Sequence, residues 1–139
     1  KKWWKGEIED TFNAMRFKNE VIFMGRLPLE EVNRIASASI SLVFVSFFEG
    51  FGVPPLEAYR SSTAVITSNT SSMPEIAGEG ALYADPYDVN SICEAMIRLY
   101  SNPSLREELI KKGQEQAKKY SWNKTAELVW KAIEKVLKK

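Results

Sequence analysis

Two glutamates, Glu49 and Glu57, bracket the seven residues Gly50-Phe51-Gly52-Val53-Pro54-Pro55-Leu56. A carboxylate can accept hydrogen bonds from both hydroxyls of a vicinal diol, so the pair reads as sugar or ribose acceptors. Glycines let backbone approach a ligand more closely than a Cβ allows, and amides opening a helix point at an anion. Proline suits a helix's first turn because the amide it lacks has no partner there. The apolar run Leu42-Val43-Phe44-Val45 before the loop and Ala58-Tyr59 after it predict a strand emptying through a glycine loop into a helix. Open α/β sheets hold charged ligands at such a junction. The bland alternative for Glu57 is a helix-start acid complementing the macrodipole, worth a few tenths to about 1 kcal/mol. For Glu49 it is a solvated loop acid. Phe47 and Phe48 are expected to pack against the core.

The elements that must position this loop alternate. Ile8, Phe12 and Met15 share a helical face over 7–15, and 21–24 is a wholly apolar strand. Pro28 opens a helix carrying Val32, Ile35 and Ala36, ahead of a strand at 39–45. A helix at 55–60 leads to a β-branched strand at 64–67, then a hydroxyl-rich loop, a helical turn at 74–77 and a short strand at 81–84. Helices at 89–101, 103–120 and 122–137 close the chain, the last with Ala126, Val129, Trp130, Ile133 and Leu137 on one stripe. Strands alternating with helices predict a mainly parallel, doubly wound Rossmann-like sheet with right-handed crossovers.

At 139 residues, 45% hydrophobic and 27% charged, the chain is the size of one globular domain. It has no apolar run of the roughly 20 residues that span a bilayer, and no apolar leader; it reads as cytosolic. Cys93, the only cysteine, excludes an internal disulfide and is expected on the core face of a helix. The absence of histidine and of a D-x-D pair excludes a His-based triad or a transition-metal site built from this chain. Net charge is +1, yet residues 35–97 carry only Arg60 against seven acids. A diphosphate brought into that acidic third needs added cations, for which Arg60, Arg26 and Arg34 are the local candidates.

Read together, five segments resemble the donor-binding, C-terminal domain of retaining GT-B glycosyltransferases, group 1 or family 4. They are the E-x7-E loop, Val21-Ile22-Phe23-Met24-Gly25, Val65 through Glu75, Ala84-Asp85-Pro86-Tyr87-Asp88 and Tyr120-Ser121-Trp122. The resemblance implies a nucleotide diphosphate sugar as donor and a glycan or lipid-linked acceptor. Glu49 would meet the donor sugar near its anomeric centre, and Glu57 the ribose diol. The amides of Phe51, Gly52 and Val53 would serve sugar hydroxyls and phosphate, with Gly50 beside them in the donor site, Gly25, Arg26 and Leu27 would meet the nucleobase, and Ser68 and Asn69 would line the cleft. No metal or other cofactor and no nucleic acid is expected, because such enzymes stabilise the leaving diphosphate with helix amides and Lys or Arg.

Against that family, residues 1–139 form a single partial domain without its first strand, first helix and second strand. In a 3-2-1-4-5-6 sheet the absent strands would lie between 21–24 and 42–45, leaving unpaired edges that invite self-association. The acceptor site and the loop with the pyrophosphate-binding Arg and Lys would belong to residues outside this chain, so the chain alone is expected to be inactive. In the whole protein the last helix would cross to the other domain, and the protein would sit in the cytoplasm or peripherally on the inner membrane face. One departure concerns a turn: Arg60-Ser61-Ser62-Thr63-Ala64 stands where the family often has Ala-Cys-Gly-Thr-Pro, so Ser62 takes over a C-cap glycine's place at about 1 kcal/mol. Two other readings share these residues: a GT-B nucleotide-sugar hydrolase or epimerase, and a non-catalytic Rossmann-like binding domain.

Overall fold

The computed structural model describes residues 5–137 and has three parallel strands, β1 (Ser41–Phe44), β2 (Ala64–Ser68) and β3 (Ala81–Ala84), ordered β1-β2-β3. Helices α1 (Glu7–Ala14) and α2 (Leu29–Ala38) precede the sheet, and α3 (Val53–Arg60) joins β1 to β2. The short α4 (Met73–Ala77) and a 3-10 turn at Gly78–Gly80 join β2 to β3, after which α5 (Val89–Ser101), α6 (Pro103–Ala117) and α7 (Trp122–Leu137) follow. Asp88 caps α5 by accepting from the Asn90 amide at 2.9 Å, and Asn102 caps α6 from Leu105 at 3.0 Å. Each side chain satisfies a donor that a helix start leaves orphaned.

Strand β2 is buried along its whole length because helices cover both faces of the sheet. Val65 packs with Leu56, Ala58, Tyr59, Ile76 and Ala77 on one side. Ala64 and Ile66 pack with Ala95, Leu99 and Leu109 on the other, as strand alternation requires. Tyr59 is fully buried, and its hydroxyl donates to the Ala77 carbonyl at 3.0 Å. Burial, and secondarily the neighbouring Tyr83, push this phenol far above its ordinary range. Gly113 of α6 lets that helix lie directly on the ring: a Cβ there would stand 2.3 Å from Tyr59 Cδ1.

Helix α3 ends in a Schellman turn. The Ser62 amide donates to Tyr59 O and the Thr63 amide to Ala58 O, with Ser62 at φ 58°. The strained serine expected from the missing glycine is therefore real, and Gln114 Nε2 donates to its hydroxyl at 2.8 Å.

Three expectations need correction. Residues 21–24 form no strand and are exposed, with Ile22 76% accessible, because no described strand offers them a ladder. Phe23 instead meets Phe12 of α1 edge-to-face. Phe47 and Phe48 are exposed and not in the core; Phe47 stacks obliquely on Tyr87, 5.0 Å between centroids, where the chain leaves the sheet edge. Cys93 is exposed, since Ala95 and Leu99 define the inward face of α5. The apolar stripe of α7, on the helix expected to cross to another domain, buries nothing among the described residues: Val129, Trp130, Ile133 and Leu137 are all exposed, leaving a core-like face with no described surface against it.

Candidate active site

The glycine loop leaves β1 and turns into α3 at Gly52, whose φ of 101° few residues other than glycine adopt. A Cβ on Gly52 would also stand 2.1 Å from Met73 Cε, so the space beneath the loop is filled by α4. Hydroxyls of the segment after β2 bind the loop from the side. Ser71 Oγ accepts from the Glu49 amide at 2.9 Å and donates to the Glu49 carbonyl at 3.0 Å. Ser72 Oγ lies 2.9 Å from Glu49 O and 2.8 Å from Phe51 O, and Thr70 Oγ1 donates to Phe47 O at 3.3 Å.

The amides of Phe51, Gly52 and Val53 donate no hydrogen bond among the described residues. Pro54 and Pro55 supply no amide, so these three donors constitute the anion-facing end of α3. Helix α3 begins at Val53, two residues before the sequence predicts, which puts Glu57 in its second turn with no acid in the first. A macrodipole role for Glu57 weakens accordingly, because that effect falls off within the first turn. Glu49 and Glu57 are half-buried, and neither carboxylate has a hydrogen-bond or ion-pair partner among the described residues.

A cleft of about 990 Å³ runs between α2, α3 and the start of α7. Glu57, Phe51 and Val53 line it, with Leu29, Glu30 and Arg34 on the α2 side. Phe51 meets Tyr120 edge-to-face, 5.7 Å between centroids, and Arg60 donates to the Tyr120 carbonyl at 3.0 Å, which ties the approach to α7 onto the cleft wall. Burial raises the Tyr120 phenol above its ordinary range, helped by the charge of Glu75. Arg34 forms an exposed pair with Glu30 at 2.6 Å. Free amide donors and the Glu57 carboxylate thus share the first half of α3, while Arg60 at its last turn and Arg34 on α2 line the same cleft.

A family model described as glycosyl transferases group 1 matches residues 4–116, which hold all three strands and both glutamates. The chain belongs to this family. It is 38% identical over 100 residues to the O-antigen chain mannosyltransferase B of Escherichia coli, a match covering 72% of the chain. It is 34% identical over 121 residues, 86% of the chain, to the serotype-specific mannosyltransferase WbdA of the same species. These matches span 26% and 15% of those relatives' own lengths. Its fold superposes on sucrose-phosphate synthase from Thermosynechococcus elongatus with a TM-score of 0.82 and 25% identity, covering 94% of this chain and 33% of that one. The three-stranded parallel sheet with helices on both faces is thus a GT-B glycosyltransferase fold.

In this member of the group 1 family the expected site residues divide. Phe51, Val53 and Glu57 face the cleft; Glu49, Gly50 and Gly52 belong to the same loop but do not line it. Gly25 and Arg26 are exposed and Leu27 is half-buried just before α2, outside the cleft wall. Ser68 is fully buried with its hydroxyl unpartnered among the described residues, and the exposed Asn69 continues the ladder by donating to Ala84 O at 3.1 Å. The sequence reading missed Ser71 and Ser72. Their bonds run to a loop 22 and 23 residues back along the chain, so no local pattern marks them. No helix of the described residues is long and apolar enough to cross a membrane.

Proposed function

We propose that this chain is the donor-binding part of a retaining glycosyltransferase that moves a hexose from a nucleotide diphosphate sugar to a glycan or lipid-linked acceptor. The observation that carries the reading is that three amides, 51 to 53, and two half-buried carboxylates on one loop and the helix it opens have no hydrogen-bond partner among the described residues. A nucleotide sugar satisfies both sets. Its diphosphate accepts from the amides, and its diols donate to the carboxylates.

In this reading Glu57 takes the ribose, and the donor extends from the cleft over the Phe51 turn so that its sugar reaches Glu49. Arg60 on α3 and Arg34 on α2 add positive charge around the same cleft. Transfer follows from positioning and from stabilising the departing diphosphate beside an oxocarbenium-like centre, with helix amides and cationic side chains in the place of a metal. Because the relatives named above are mannosyltransferases, mannose is the first sugar to try. The acceptor is held by residues outside this chain, and the enzyme works in the cytoplasm or against the inner membrane face.

The test is product analysis with the full-length protein, a nucleotide diphosphate mannose and a mannose-ended acceptor. Retention of the donor's anomeric configuration in a new glycoside supports the reading. Free mannose alone indicates hydrolysis, and an altered nucleotide sugar indicates epimerisation; either result overturns glycosyl transfer.

A further inference from the structure

Glu49 is held by its backbone. The Ser71 hydroxyl takes the Glu49 amide and gives its proton to the Glu49 carbonyl, so one side chain spans both peptide units that set this residue's φ and ψ. The Ser72 hydroxyl sits between the Glu49 and Phe51 carbonyls, across the turn. Ser71 does this from φ 53°, a region glycine would occupy without strain. A strained backbone persists where its surroundings enforce it. Here the position holds a residue whose hydroxyl reaches Glu49, although backbone geometry alone would favour one without a side chain.

The clamp itself is anchored in the core. Ser72 precedes α4, whose last carbonyls accept from Gln116 of α6, from Tyr120 and from the buried Tyr59. A continuous run of contacts therefore reaches from α6 and Tyr59 through α4 to Ser71, Ser72 and Glu49. It touches the cleft wall at Tyr120 and at the Phe51 carbonyl and does not include Glu57.

We propose that Ser71 and Ser72 are positioning residues that set the orientation of Glu49 toward the transferred hexose, acting through Glu49 and not on the nucleotide. The proposal rests on the donor-binding reading above. It separates two jobs within one loop: the amides and Glu57 capture the nucleotide, while the serine clamp orients the group that meets the sugar. Placement errors of about 1 Å cost on the order of 100-fold in rate, so releasing the clamp lowers kcat and spares nucleotide affinity.

Ser71→Gly is the informative variant because it removes the hydroxyl and the strain together. In the full-length protein it should melt no lower than wild type and bind free nucleoside diphosphate equally well. Its KM for the nucleotide sugar should stay within about twofold, while kcat falls at least about tenfold. Ser72→Ala should lower kcat in the same way, and Ser72→Thr, which keeps the hydroxyl, should restore it. Ser71→Gly combined with Glu49→Ala should be no slower than Glu49→Ala alone. The proposal is overturned if Ser71→Gly keeps kcat within twofold, if it loses nucleotide affinity as much as rate, or if its effect multiplies with that of Glu49→Ala. Failure of the wild type to bind any nucleotide, with Glu57→Ala indistinguishable from it, overturns the donor reading and this proposal together.

Discussion

Replacing Gly113 by alanine in the middle of α6 should destabilise the domain, against the usual direction for an exchange inside a helix. Glycine to alanine ordinarily gains up to about 1 kcal/mol there. Here the new Cβ would stand 2.3 Å from Tyr59 Cδ1, 2.5 Å from Cε1 and 2.8 Å from Cγ, so contact distance is recovered only by a shift of more than about 1 Å. The ring cannot swing away, being fully buried with its hydroxyl bound to Ala77 O. Backing α6 off would also open the close contact between Gly80 and the Gly113 backbone on the same side. Overpacking of this kind costs about 1–3 kcal/mol, and the rigid neighbour puts it near the upper end. The net loss is about 1–2 kcal/mol, or about 4–8 °C in Tm for a domain of this size. Urea denaturation followed by circular dichroism reads it directly. Introduced beside Tyr59→Leu, whose flexible end can yield, the same exchange should become neutral or stabilising. A higher midpoint for Gly113→Ala alone would refute the packing account.

Three further outcomes follow from the same contacts. Tyr59→Phe should cost about 1–3 kcal/mol by stranding the buried Ala77 carbonyl. Because the folded state holds the Tyr59 proton more tightly than the unfolded chain, wild-type stability contributed by this group is complete below about pH 10 and lost as pH rises above it; the alkaline limb of the pH–stability curve should be shallower in the phenylalanine variant. Ser62→Gly should raise the unfolding free energy by somewhat less than about 1 kcal/mol, read as a higher urea midpoint, since relief of the left-handed conformation is partly offset by losing the exposed Gln114 bond. Gly52→Ala should destabilise by at least about 1 kcal/mol even when Met73 is shortened to alanine, because the φ of 101° remains.

Legibility from sequence tracked how local each determinant is. Helices α5 and α6 were readable to the residue at their starts because Asp88, Asn102 and Pro103 sit beside the segments they begin. Strands β2 and β3 and the serine-strained end of α3 were readable for the same reason. Residues 21–24 were not, because an apolar run becomes a strand only when a neighbour completes its ladder. Phe47, Phe48 and the α7 stripe have apolar side chains in core-like patterns, and their exposure depends on what lies opposite them, which no local pattern encodes. In the candidate site, the placement of Glu49, the amides and Glu57 around one strand-to-helix turn was legible from spacing. The Ser71–Ser72 clamp, 22 and 23 residues along the chain from Glu49, could not be, because it is a tertiary contact between two loops.

The central claim is that the start of α3 captures a nucleotide diphosphate through free amides and the Glu57 carboxylate. Calorimetric titration of the full-length protein with a nucleotide diphosphate hexose, wild type beside Glu57→Ala, tests it most directly. Two charge-assisted hydrogen bonds to a ribose diol predict saturable wild-type binding and affinity about 10–100-fold weaker in the variant. Equal affinities for the two proteins, or no heat from either, would contradict it.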